Sequence, residues 1–341
     1  MSNIEDSFKG TTMPAFDPEV SLVSEDEQAK LTELRDQLAD DIAAEASAQF
    51  EEVTGDIRLL RFLRGHNSVA DSAAAFRQML ALRAKHGLDG VRQAILDNGL
   101  DHSTAPHQPI LDKHGPLFAR WDSGQTLAGD YIQTLRPANV NAQKLLEEIS
   151  GEQLQENFHY HLELIAIHLD RRSRESGRLC KMFRVQDMGD ISMGVVSTLR
   201  PVLASFLADL QISHPESIRV LHLINIPSFF SLIFAAVSPI LNEKTKARIQ
   251  PWSGDYKPTL MKECDVGVLQ RLEEARLACP GKGYKPGKAI KAVVPAWGKV
   301  EVAACVQPGD CVKWNLRPDT SIVFRASTFA EDGTSTVFKE V

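Results

Sequence analysis

The sequence predicts an α/β protein, preceded by a helical unit and followed by a small antiparallel β domain. Three observations carry this. Apolar residues recur at helical spacing through residues 56–95. The run Val220-Leu221-His222-Leu223-Ile224-Asn225-Ile226 is almost continuously apolar, which suits a strand covered on both faces. Beyond residue 291, apolar and polar residues alternate with period two.

The elements follow in order. Residues 1–24 are polar, with scattered Gly, Pro, Ser and Thr, and are expected to form a mobile leader. Residues 25–95 form the helical unit. It opens with an acidic Glu/Ala/Leu/Gln stretch and continues into Asp56–Gly65, an amphipathic helix with arginines between its apolar positions. Gly65 is its expected stop, Asn67 or Ser68 caps the next helix, and Gly87 ends that one. Residues 96–275 form the α/β domain. Its expected strands are 116–121, 182–186 and 220–226; its expected helices are 145–169 and 195–210, the second kinked or started by Pro201. Residues 276–290 are a basic Gly/Pro linker, and residues 291–341 the β domain.

A chain of 341 residues that is 43% hydrophobic and 24% charged has room for roughly two domains and a substantial core. Its net charge of -7 argues against nucleic acid as a partner, which needs a basic footprint. Any membrane contact must then be local. Five cysteines, Cys180, Cys264, Cys279, Cys305 and Cys311, match no zinc or redox spacing and suit a reducing compartment. No secretory signal is evident, and the apolar run Phe229–Leu241 is too short to span a bilayer. The expected location is cytoplasmic, peripheral to membranes.

Residues 228–241 are apolar on nearly every side, through Phe229, Phe230, Leu232, Ile233, Phe234, Val237, Ile240 and Leu241. Periodicity alone favours a buried core helix, with Pro239 as a possible hinge. Lys244, Lys246 and Arg248 follow directly, on a helix face that either meets solvent or meets anionic headgroups.

These residues resemble a family. Leu59-Leu60-Arg61-Phe62-Leu63-Arg64 resembles the N-terminal helical motif of CRAL-TRIO lipid-binding proteins. So do His214-Pro215-Glu216, the strand ending Asn225-Ile226-Pro227, and the run from Ser238 to Ile249; Asp112-Lys113-His114-Gly115 is similar to the family's Asp-x-x-Gly turn. The resemblance implies a sheet-floored lipid pocket covered by helices. It makes 229–241 the lipid gate, and Lys244 and Lys246 membrane contacts. Family members that bind phosphatidylinositol use Glu, Thr and Lys at positions matching Glu216, Thr245 and Arg248, so these three are the implied headgroup set. His66 and Asn67 replace a basic pair of those members, and Ser217 replaces another basic residue, so phosphoinositide specificity does not follow. The tail, with Pro308-Gly309-Asp310 and Ser321-Ile322-Val323-Phe324, is similar to a GOLD β-sandwich, with fewer strands than a complete one.

The implied function is to hold one lipid, phospholipid or phosphoinositide in type, in a gated pocket and to transfer or present it at membranes. The alternative is a lipid-sensing trafficking adaptor that recruits proteins through the GOLD-like tail. No catalysis, no cofactor beyond the bound lipid and no metal are expected. Ser192 lies one residue out of place for a nucleophile elbow, and Gly281–Lys288 lacks the P-loop spacing. His159, His161 and His168 are expected to be surface or core histidines.

Overall fold

A computed structural model describes residues 23–116, 119–120, 124–278, 325–329 and 335–340. Contacts divide the chain into two units, Met1–Ala303 and Ala304–Val341. In the second, β6 (Arg325–Phe329) and β7 (Ser335–Glu340) pair antiparallel, with a register shift between Ala326 and Ser327. The alternating segments 300–324, read as β structure, and residues 279–290 of the linker lie outside the described residues.

The helical unit comprises α1 (Glu25–Ala43), α2 (Glu51–Thr54), α3 (Asp56–Gly65), α4 (Val69–His86) and α5 (Leu88–Asp97). The expected leader runs two residues too far. Ser24 is the N-cap of α1, in a capping box with Glu27, and Val23 packs against the core. That core joins Leu31, Leu34 and Leu38 of α1 to Leu59, Phe62, Phe76 and Met79 of α3 and α4. Ser68, rather than Asn67, caps α4, and Gly87 ends it in the left-handed conformation at φ 61°. Gly65 is the last residue of α3, the stop expected of it, and has a steric use as well. The residue after it is extended, and a Cβ on Gly65 would stand 2.9 Å from the Cβ of Pro215. The glycine permits close approach of α3 to the neighbouring domain.

The α/β domain holds a five-stranded sheet in the order β1 (Ala119–Arg120), β2 (Tyr131–Leu135), β3 (Met182–Asp187), β4 (Ile218–Ile224) and β5 (Ile249–Trp252). β1 is antiparallel to β2, and the other pairs are parallel. The crossovers carry α7 (Ala142–Glu148) and α8 (Gly151–Ser176), then α9 (Met193–Ser213), then α10 (Phe230–Val237) and α11 (Glu243–Lys246). α6 (Gln108–His114) precedes the sheet, and its last turn occupies the expected Asp112–Gly115 turn. α12 (Lys257–Leu260) and α13 (Val266–Ala278) close the domain, the latter running three residues into the expected linker. Strand alternation sorts the two faces. Ile132, Phe183, Val185, Val220 and Ile224 bury against Leu260, Val268, Leu269 and Leu272 of α12 and α13. The opposite face meets α8, α9 and α10.

Arginines of the helical unit hold it to this domain. Arg58 Nη1 donates to the Ser213 carbonyl (3.0 Å), and Arg61 donates to the carbonyls of Glu216 (3.1 Å) and Cys180 (2.7 Å). Arg58 and Arg61, which stand between the apolar positions of α3, are thus buried, whereas Arg64 forms a two-pronged pair with Glu27. Glu163 of α8, 0% exposed, accepts from Arg83 (2.8 Å) and Arg92 (2.8 Å). Burial alone would raise the Glu163 carboxyl, but the two guanidiniums outweigh it and hold it far below the usual carboxylate range. Glu163→Gln keeps the volume, removes the carboxylate that Arg92 pairs with, and leaves Arg83 with Asp89 alone. It is expected to destabilise the protein by about 3–5 kcal/mol in urea melts at neutral pH, the cost of breaking a buried pair from one side. A loss under ~1 kcal/mol would mean that the arginines find other partners.

Candidate functional site

Central strands of a sheet covered by helices on both faces are normally buried throughout. β3 departs from this on one face only. Phe183 and Val185, toward α13, are fully buried, whereas Arg184 and Gln186, toward α9 and α10, keep accessible surface. Arg184 nevertheless lies deep, and burial pushes its guanidinium down to about 10. Arg184 thus combines depth with some remaining accessible surface. Arg184 Nε donates to Gln133 Oε1 on β2 (2.7 Å), and no carboxylate pairs with it among the described residues. Leu221 and Leu223 of β4 continue this floor.

The cover is apolar and incompletely packed. α9 is 21 residues long, with length and hydropathy that a bilayer would accept, which the sequence reading missed because it credited only 229–241. Yet α9 buries just Leu199, Asp209, Leu210 and Ser213, while Val195, Val196, Leu203, Phe206 and Leu207 remain half-buried. Pro201 lies inside the helix rather than starting it, and Ser192 caps the N-terminus by accepting from the Val195 N–H (3.3 Å), a structural use. In α10, Phe230 and Ile233 are buried against Met188, Leu223 and Ile249, joined by Leu241 beyond the helix. Phe229, Phe234 and Val237 pack partly, and Leu232 points outward at 61% exposure. After Val237 the α-helix tightens to a 3-10 turn, Ser238–Ile240, containing the expected hinge Pro239. α10 is therefore two-sided: one face is buried in the domain, and Leu232 lies outside.

A charged cluster stands beside the N-terminal end of β4. Glu216 adopts φ 55°, a left-handed turn geometry, and its carboxylate pairs with both Lys181 and Arg248. Burial would raise the Glu216 carboxyl, but Lys181 and Arg248 prevail and lower it. Burial lowers the Lys181 ammonium. The structure thus unites Glu216 with Arg248. Thr245 lies one turn ahead on α11, its N–H capped by Asn242 Oδ1 (2.7 Å). Lys181 and Arg184 were missed from sequence: Lys181 meets Glu216 because β3 and β4 start side by side, and Arg184 offered as signal only its period-two position opposite to Phe183 and Val185. Lys244, expected at the membrane, donates instead to the carbonyls of Arg64 (3.2 Å) and Gly65 (2.9 Å), and Lys246 pairs with Glu243 (2.7 Å). Lys244 thereby ties the segment after the gate to the end of α3. His66, standing where a basic residue was looked for, stacks on Phe62 (5.9 Å). His168 stacks on Tyr131, and His161 meets Gln108 Oε1 (2.9 Å) with burial pushing it down to about 3.

Residues 123–271 match the family model of the CRAL/TRIO domain. That segment contains β2–β5, α9, α10 and the Glu216 cluster, and the match supports lipid binding in general. The chain is also similar to the crystal structure of Sfh5, at 12% identity and a TM-score of 0.54, covering 72% of this chain and 86% of that one. At such identity the likeness speaks for the fold. No curated protein matches the sequence. The family model does not reach the tail, so the GOLD-like reading rests on the sequence resemblance alone.

The depressed Glu216 carboxyl has a pH consequence. Its favourable contribution is complete above the ordinary carboxylate range and is lost as pH falls through the lowered folded value. Glu216→Gln is expected to lower the urea midpoint at neutral pH, with the gap from wild type narrowing as pH falls toward about 3. A gap independent of pH would assign the loss to packing rather than charge.

Proposed function

We propose that this protein holds a single lipid between the sheet and α9/α10, and passes it to or collects it from a membrane surface. The observation that carries this reading is the accessible inner face of β3, with Arg184 bonded to Gln133 and to no carboxylate among the described residues, beneath two half-buried apolar helices. An apolar cover over a floor with one deep cation suits an amphiphile: acyl chains against α9 and α10, an anionic group toward the charge. The cluster of Glu216, Lys181 and Arg248, with Thr245 nearby, offers a second polar locus for a phospholipid or phosphoinositide headgroup.

Energetics explain why a gate is needed. Burying a chain of about fifteen carbons yields ~12 kcal/mol at ~0.8 kcal/mol per CH₂, but a bilayer offers nearly the same. Exchange between protein and membrane is then close to neutral, and the gate sets its rate. α10 suits this role because its outer side carries Leu232 while its inner side completes the core. Docking Leu232 in lipid contributes about 1.5–3 kcal/mol toward opening.

Two experiments test the reading. Mass spectrometry of lipids extracted from the purified full chain should find one lipid per protein, with the anionic fraction falling in Arg184→Gln. An empty protein that takes up no lipid from vesicles would overturn the proposal. Leu232→Asp should slow vesicle-to-vesicle transfer by about 10-fold or more while leaving the melting temperature unchanged, because the side chain is 61% exposed. Unchanged transfer would remove α10 from the gating step. Phe230 is unsuitable for this test, since it is 2% exposed and its loss would disturb the core.

A further inference from the structure

A second polar constellation lies away from the lipid floor, where α4, α8 and α9 meet. His86 closes the last turn of α4, His159 lies on α8 and Asp209 on α9. Their donor atoms all stand within 4.8 Å of one another. His159 Nε2 is 3.1 Å and His86 Nε2 3.6 Å from the same Asp209 Oδ2. The two imidazoles meet edge to face, with centroids 4.6 Å apart.

Hydrogen bonding leaves this arrangement incomplete. One oxygen faces two imidazole nitrogens, and 3.6 Å is too long for a hydrogen bond. His86 Nε2 is buried and makes no hydrogen bond among the described residues. Asp209 is oriented from outside the trio by Gln155, which donates to its Oδ2 and bonds Ser205 in turn. Such outer partners commonly fix metal-binding carboxylates.

We propose that His86, His159 and Asp209 form a binding site for a divalent first-row transition cation of the zinc class. At metal–ligand distances near 2.0–2.1 Å, tetrahedral donors stand about 3.3 Å apart. The observed 3.1 and 3.6 Å bracket that value. Two imidazoles and one carboxylate suit zinc and its neighbours over calcium or magnesium, which take oxygen ligands. A fourth position remains for water. The ligands come from three helices, one of the helical unit and two of the α/β domain, so the ion staples the two parts together. Sequence spacing alone does not reveal this trio. His86 and Asp209 are 123 positions apart (209 minus 86), and the expectation of no metal weighed only histidines close in sequence.

The test uses the full chain stripped of metal by chelator and dialysis, then titrated with zinc chloride against a chromophoric chelator. Wild type should show a site that weakens by more than 10-fold in His86→Ala and in Asp209→Asn, and by roughly 10-fold in Gln155→Ala. Zinc should raise the melting temperature of wild type and not of His86→Ala. Cobalt substitution gives a readout independent of any variant. Tetrahedral d–d bands without thiolate charge-transfer absorption support the site, whereas thiolate bands would place the ion on cysteine and overturn it. Equal zinc affinity in wild type, His86→Ala and Asp209→Asn would equally overturn it.

Discussion

The buried carboxylate of Glu163 is the constraint on which the architecture rests. It is the counter-ion for Arg83 and Arg92, which arrive from two helices of a separate core. Removing guanidiniums from water is costly, and the neighbouring Arg58 shows it, being pushed down to about 9 by burial and then by Arg92. That cost is offset only where every partner is in place, so the helical unit docks in one orientation. The same orientation delivers Arg58 and Arg61 to the carbonyls of Ser213, Cys180 and Glu216. Those three residues end α9, precede β3 and precede β4. The docking arginines therefore set the ends of the elements that frame the lipid floor.

Two kinds of polar group serve this molecule differently. The arginines that dock the helical unit meet backbone carbonyls and the Glu163 carboxylate of the α/β domain. Arg184 meets only the neutral Gln133 amide and no carboxylate among the described residues. The two kinds of deep cation differ in whether an anion or carbonyls of the neighbouring part balance them. The Glu216 cluster lies between the two cases, since Arg61 fixes its backbone carbonyl while Lys181 and Arg248 hold its side chain.

Much of this was legible in sequence, and the failures have physical causes. The apolar continuity of 220–226 correctly gave a doubly covered strand, and the helical unit emerged from its spacing and its caps. The amphipathic helix Asp56–Gly65 was legible from its spacing, but only a partner surface reveals that Arg58 and Arg61 are buried. Gly65 was legible as the stop of that helix, but not its steric role, set by Pro215 far along the chain. Glu216 and Arg248 were identified as a pair through family resemblance, whereas Lys181 completes them only through sheet register. α9 was recognised as a helix, but its unfilled apolar face is a property of packing and cannot be read from periodicity.

The segment that carries the CRAL/TRIO match begins at residue 123, whereas Arg58, Arg61, Arg83 and Arg92 all precede it. Severed from residues 23–97, that segment would present Glu163 and three backbone carbonyls to an apolar wound with no donors to meet them. Sequence recurrence and physical autonomy therefore part company in this chain. What matches the family is residues 123–271, whereas the buried contacts of those residues include donors from the helices in front of them.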